Sequence, residues 1–404
     1  MRIIITILVL LLAPALQAQV NVSGKIIFAS DNKPVTGASV FFSNTSIGTV
    51  SAQDGRFTLQ HITPGNYNLV VSYIGYETVQ RTINITNIPI DNIVISLTPK
   101  QQLMDAVVVG GYEKQTWEKW GRFFTEQFIG AGSWGEKCIL ENKEQVEFRF
   151  YKKKNMLVAY AGEDLVIVNK NLGYRIRYRL EKFEYDFTKG MLFYEGYPFF
   201  EDMDSKRKGR VRRWMKARNE AYYGSVMHFM RSVYRNRLIQ DGFEIRRLVK
   251  TPNDEKKRVQ QLYRDRAKFL SNQNGPGEPL QADSAAYYEK ILKQKDSFDQ
   301  YTPYTIAGDS IAYALDSFTA VVEFKNYLYV VYKNALEDID YAKSYTASPG
   351  LKNPSSAIRL LNHDQILVFS NGAYDKMQDM LTNGYWAWSE KICRLLPYDF
   401  KPLD

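Results

Sequence analysis

The sequence predicts a β-rich α+β protein: an N-terminal antiparallel β-sandwich followed by a larger α+β domain with a basic helical insert. Three observations predict it. Short apolar/polar alternations separated by turn dipeptides fill residues 19–99. Strand-like runs return over 145–197 and 318–369, and between them, from about residue 204 to 296, apolar residues recur at helical spacing among many Lys and Arg. Strands on both sides of a helical stretch are an α+β pattern. With 404 residues, 45% of them hydrophobic and 24% charged, the chain has material for two or three cores.

At the start, Met1-Arg2 precedes the apolar run Ile3 to Leu12 and then Ala13-Pro14-Ala15-Leu16-Gln17-Ala18. One positive charge, an apolar run too short to anchor in a bilayer, and small residues at its end make residues 1–18 a predicted secretory signal peptide, cleaved after Ala18 or Ala15. No later stretch is apolar for long enough to span a membrane, so no transmembrane span is expected.

Residues 19–99 carry the sandwich. Arg56-Phe57-Thr58-Leu59-Gln60 and Tyr67-Asn68-Leu69-Val70-Val71-Ser72-Tyr73 turn one apolar face inward at period two. Asp54-Gly55 and Pro64-Gly65 supply the backbone angles that tight antiparallel connections need, Gly55 by reaching positive φ. Val22-Ser23-Gly24-Lys25-Ile26, Pro34-Val35-Thr36-Gly37-Ala38-Ser39-Val40, Asp54-Gly55-Arg56-Phe57, Pro64-Gly65-Asn66-Tyr67 and Tyr73-Ile74-Gly75-Tyr76-Glu77 resemble the carboxypeptidase regulatory-like domain family. The resemblance implies a small transthyretin-like β-sandwich in an exported protein. It leaves the activity open, because this domain accompanies enzymes, transporters and proteins of no known activity.

Residues 100–115 read as a linker. Within it Leu103-Met104-Asp105-Ala106-Val107-Val108-Val109 resembles the energy-coupling box of TonB-dependent receptors with the same N-terminal domain. That resemblance implies a strand, Asp105, Ala106, Val107, Val108 and Val109, offered to a TonB-like partner by β-addition. From the residues alone it is an extended linker or a last edge strand, since residues 116–404 lack the series of roughly ten-residue strands of a transmembrane barrel.

Residues 116–404 form the α+β domain. Gln145 to Tyr151, Met156 to Tyr160 and Leu165 to Val168 read as strands, and Tyr174 to Leu180 and Phe183 to Phe187 as a pair, arginines facing carboxylates. In the insert, Ser225 caps a helix with Val226, Phe229, Met230 and Val233 inward, and further helices start near Asp254 and Ser284. Asn169-Lys170-Asn171-Leu172-Gly173-Tyr174, Tyr194-Glu195-Gly196-Tyr197-Pro198-Phe199-Phe200 and Gly384-Tyr385-Trp386 resemble the larger domain of uncharacterised exported proteins of Gram-negative bacteria. That implies a periplasmic or outer-membrane-associated location and brings no activity with it.

Charge is concentrated in the insert. Residues 201–270 hold 20 Lys or Arg against 9 Asp or Glu, a local +11 in a chain of net charge +9. The densest part contributes Lys206, Arg207, Lys208, Arg210, Arg212, Arg213, Lys216 and Arg218 as candidate anion-binding residues. Export removes nucleic acid as a partner, leaving an envelope glycan, an anionic envelope lipid or another envelope protein; a solvated basic helix is the bland alternative.

Catalytic motifs are sparse. The chain has three histidines, none followed by Glu at the zinc carboxypeptidase spacing, and no His-Glu-x-x-His or Cys-x-x-Cys, so neither a metal nor another cofactor is expected. Ala131-Gly132-Ser133-Trp134-Gly135 differs from a nucleophile elbow in its first residue and runs into a strand-like Lys137-Cys138-Ile139-Leu140. Cys138 and Cys393 can pair as a disulfide or remain buried thiols. The function expected is a non-catalytic cell-envelope binding or accessory protein. The alternative is a polysaccharide- or peptide-directed hydrolase with unrecognised carboxylates, for which sequence offers no spacing rule.

Overall fold

The computed structural model describes residues 20–100, 111–272, 282–345, 350–362, 364–375 and 377–403. The predicted signal peptide and the strand at Asp105–Val109 lie outside the described residues.

Seven strands build the sandwich: β1 (Val20–Phe28), β2 (Ser39–Phe42), β3 (Gly48–Val50), β4 (Arg56–Ile62), β5 (Gly65–Ser72), β6 (Val79–Ile85) and β7 (Ile90–Leu97). They form two sheets, β4-β1-β7 and β3-β2-β5-β6. All pairings are antiparallel except β1 with β7. Val22, Ile26, Phe42, Leu59, Leu69 and Ile85 fill the space between the sheets. Gly55 adopts φ +77°, and a Cβ there would lie 2.5 Å from the Ile26 carbonyl oxygen, so the turn before β4 excludes other residues on both counts.

The larger domain begins with a seven-stranded sheet. Its strands are β8 (Glu113–Gln115), β9 (Cys138–Leu140), β10 (Val146–Tyr151), β11 (Met156–Ala161), β12 (Leu165–Asn169), β13 (Tyr174–Asp186) and β14 (Met191–Asp202). β13 is one strand of 13 residues. The expected pairing of its two halves is therefore corrected: Glu181-Lys182 contains no turn former, and the chain crosses this point with only a register shift against β14. Arg177 and Arg175 find carboxylates elsewhere, at Glu201 (2.9 Å) and Glu141 (2.7 Å). Helix α1 (Trp117–Phe124) covers the sheet, and Phe124, Phe128, Phe148 and Phe183 meet beneath it. A one-turn helix α2 (Gly132–Gly135) comes next.

Helices α3 (Lys208–Tyr222) and α4 (Val226–Tyr234) lead to β15 (Phe243–Pro252), then α5 (Asp254–Asn272) and α6 (Ala282–Leu292). β15 divides the stretch expected to be helical throughout. Its Phe243, Ile245 and Leu248 are buried while Arg247 and Val249 are exposed, and this near-alternation seats it inside a sheet despite its charges. The remaining elements are β16 (Ser297–Tyr301), β17 (Ala312–Ala314), β18 (Thr319–Glu323), β19 (Tyr327–Tyr332), α7 (Ile339–Tyr345), β20 (Ser355–Leu360), β21 (Gln365–Phe369), β22 (Met380–Gly384) and α8 (Tyr385–Ser389). They complete the sheets β16-β15-β19-β20-β22 and β17-β18-β21. Their shared core holds Phe229, Val233, Phe243, Ile245, Leu328 and Trp386. Ser225 caps α4 as expected, its hydroxyl accepting from the His228 amide at 3.0 Å.

The sandwich is docked on this domain. The Asn44 amide donates to Pro198 O at 2.8 Å, Phe200 N to Thr45 O at 3.0 Å, and Tyr398 N to Asn44 O at 2.7 Å. Phe41, Val70 and Phe199 make a small separate core across the junction, and Asp399 accepts from the amide of Ser46 (3.0 Å) and from its hydroxyl.

Candidate functional site

Helix α3 carries the predicted cations. Trp214, Arg218, Ala221 and Tyr222 are its buried residues and fall within about 100° around the axis at 3.6 residues per turn. Arg212, Arg213 and Lys216 lie on the opposite side. Together with Lys206, Arg207, Lys208 and Arg210 they are exposed, and none of the seven forms an ion pair among the described residues. Arg207 is the N-cap and makes no capping bond through its side chain. Lys208 and Arg210 in the first turn add positive charge where the helix dipole is already positive. The local arrangement is unfavourable to the helix until an anion is supplied.

Arg218 is corrected out of the set. Its Nε donates to Leu172 O at 2.7 Å, one Nη donates to Gly173 O (3.2 Å) and Asp202 Oδ1 (2.7 Å), and the guanidinium lies 3.8 Å from the Tyr174 ring centroid. A buried arginine with these partners is structural. Trp214 works beside it, donating from Nε1 to Lys170 O at 3.0 Å. The signal was present in the sequence: Trp214 and Arg218 are four apart, hence on one face, and a tryptophan marks the face that packs.

A concavity of about 90 Å³ lies where the end of α3, the start of α4 and the segments around residues 338 and 390 meet. Glu220, Asp338 and Glu390 line it. Asp338 is paired with Arg394, whose guanidinium stands 4.1 Å from the Trp134 ring centroid. Glu390 accepts from the Val226 amide at 3.2 Å. Although part of Glu390 is accessible, protein encloses its carboxyl, and this burial pushes it up to about 7 against the pull of the Val226 amide and Arg394. No sequence pattern marks this group, because its neighbours come from four separate segments.

This shift makes stability depend on pH. The unfolded carboxyl loses its proton near 4.5, the folded one near 7, so its contribution is full below 4.5 and falls away as pH rises to 7. Glu390→Gln should gain on the wild type by about 2–3 kcal/mol between pH 4.5 and 7.5. Denaturant titrations of both proteins at the two pH values check this; a constant difference refutes it.

Ser133 is exposed at the start of α2, with its amide donating to Asp340 Oδ2 at 2.8 Å. The buried histidine of the described residues, His228, packs instead among Tyr222, Tyr223, Phe243 and Tyr332. Burial lowers it to about 4. Cys138 and Cys393 are buried free thiols in one core, where burial first and charge on Cys393 second raise the Cys138 thiol; no disulfide joins them. Among the described residues, no helix is long and apolar enough to cross a membrane, and no three His, Cys, Asp or Glu side chains are placed to hold a metal ion.

Residues 22–109 match the CarboxypepD_reg-like domain family. Over 102 residues the chain is 41% identical to the TonB-dependent receptor P39 of Formosa agariphila, a match taking in 25% of this chain and 9% of that receptor. Among solved structures, the pilus 2b backbone protein of group B streptococcus aligns over 20% of this chain and 42% of its own, at 14% identity and a TM-score of 0.18. A DUF3823 family protein from Parabacteroides merdae aligns over 48% and 83%, at 11% identity and a TM-score of 0.16. Scores this low carry no structural argument.

Proposed function

We propose, from a chain whose residues 22–109 are a carboxypeptidase regulatory-like domain, that this is an exported, non-catalytic cell-envelope protein that binds an anionic envelope component through α3. The observation that carries the reading is the set of seven exposed cations without ion-pair partners among the described residues, gathered at one end and along one face of a helix that Trp214 and Arg218 hold in place. An anion bound there gains the summed charge and relieves the repulsion in the first turn. The apolar leader Ile3 to Leu12 supports export. The similarity to an envelope receptor over the first domain supports the location.

The test is binding to immobilised lipopolysaccharide and to dextran sulfate across a salt series. Replacing Arg207, Arg210, Arg212 and Arg213 by Ser should weaken binding at least about tenfold at low salt and flatten its salt dependence. Binding unchanged by the four substitutions would reduce the cations to a solubility feature.

The second reading, a polysaccharide- or peptide-directed hydrolase, is favoured by one observation: Glu390, holding its proton close to neutrality, shares a concavity with Asp338, which is paired with Arg394. Release of new reducing ends or amines that Glu390→Gln abolishes would establish it. Release that survives the substitution would remove it.

A further inference from the structure

We propose that the groove beneath the N-terminal half of α3 takes the acyl chain of a phosphate-bearing lipid, with the headgroup held by the cations that border it. This rests on the anion-binding reading and narrows it to one partner class. The groove, about 230 Å³, lies between the segment leaving β14 and α3. Asp202, Met203, Asp204 and Ser205 line it from the first; Val211, Trp214, Met215 and Arg218 line it from the second. Of its acids, Asp202 is neutralised by Arg218 at 2.7 Å, leaving Asp204.

Residues 202–205 and 211–218 both contribute to the lining, so the exposed residues joining them, Lys206, Arg207, Lys208 and Arg210, border the groove. Four exposed cations there outnumber the one acid that no arginine neutralises. Val211, 41% exposed, lines the groove in the midst of them. A polyanionic glycan would use the charges and leave Met203, Val211, Trp214 and Met215 idle. A lipid uses both, and a single chain plus a basic patch supplies the two signals that stable lipid binding requires. The space is that of roughly seven waters, enough for part of one chain rather than for two.

The experiment compares octanoyl-lysophosphatidic acid with glycerol 3-phosphate, which share the phosphate and differ in the chain, by displacement of labelled dextran sulfate and by tryptophan fluorescence. The lysolipid should bind at least about tenfold more tightly. Its ω-brominated form should quench the emission, and Trp214→Phe should remove most of that quenching. Val211→Asp, at an exposed position that leaves Trp214 and Arg218 in place, should abolish the chain-dependent gain while dextran sulfate still binds. Equal affinity for the two phosphates, or tight lysolipid binding that Val211→Asp leaves unchanged, would overturn the proposal and keep the anion reading. Failure of dextran sulfate itself to bind would overturn both.

Discussion

Arg218→Ala should lower the stability of the larger domain by about 3 kcal/mol, while Arg212→Ala and Arg213→Ala, two turns or less away on the same helix, stay within about 0.5 kcal/mol of the wild type. Arg218 satisfies the carbonyls of Leu172 and Gly173 and the carboxylate of Asp202. Truncation leaves the Leu172 carbonyl at a buried site without its donor, costing about 1–3 kcal/mol, and removes the cation from the Tyr174 face, while Gly173 O keeps the Met203 amide at 2.9 Å. Asp202, being largely exposed, recovers water and limits the loss. Urea denaturation followed by far-ultraviolet circular dichroism measures the difference. The binding assay should respond in the opposite order, strongly to Arg212 and Arg213 and to Arg218 only through lost structure. A stable Arg218→Ala protein with weakened anion binding would return Arg218 to the binding set.

Phe199→Ala should uncouple the unfolding of the sandwich from that of the larger domain and split one unfolding transition into two. Phe199 sits on β14, buried, with its ring centroid 5.3 Å from that of Phe41 on β2 and the Arg177 guanidinium 5.0 Å from its centroid. Removing a buried phenyl ring costs about 3–5 kcal/mol, and here the cost falls on the junction because both partners from the sandwich, Phe41 and Val70, lie across it. The backbone bonds of Asn44 and Thr45 and the grip of Asp399 on Ser46 remain, so the domains stay adjacent but melt separately. Scanning calorimetry reports this directly, with Phe199→Leu as the variant expected to keep a single transition. One transition in Phe199→Ala at an unchanged midpoint would show that the polar bonds alone couple the domains.

Local rules are enough wherever a feature depends on residues close in the chain. The alternation of Phe57 and Leu59, the positive φ of Gly55 and the cap of Ser225 on α4 are all of this kind. They arise from backbone sterics and from the period of strand and helix, so the sandwich and α4 are legible in the amino-acid order. The same rules also mislead. A strand of 13 residues reads as two because its polar face changes from arginines to acids, and β15 goes unrecognised because it lies between two helices in a stretch read as helical and rich in Arg and Lys. Charge describes a surface, whereas burial of Phe243 and Ile245 decides the element.

The β-rich α+β class, the sandwich and the concentration of positive charge are therefore encoded in patterns only a few residues long. The fold is needed to bring Asp399 to Ser46 across 353 residues and to enclose Glu390 with groups from four segments. These depend on which distant surfaces exclude water from each other. That is a property of packing between elements, and the spacing of residues along a chain carries no trace of it.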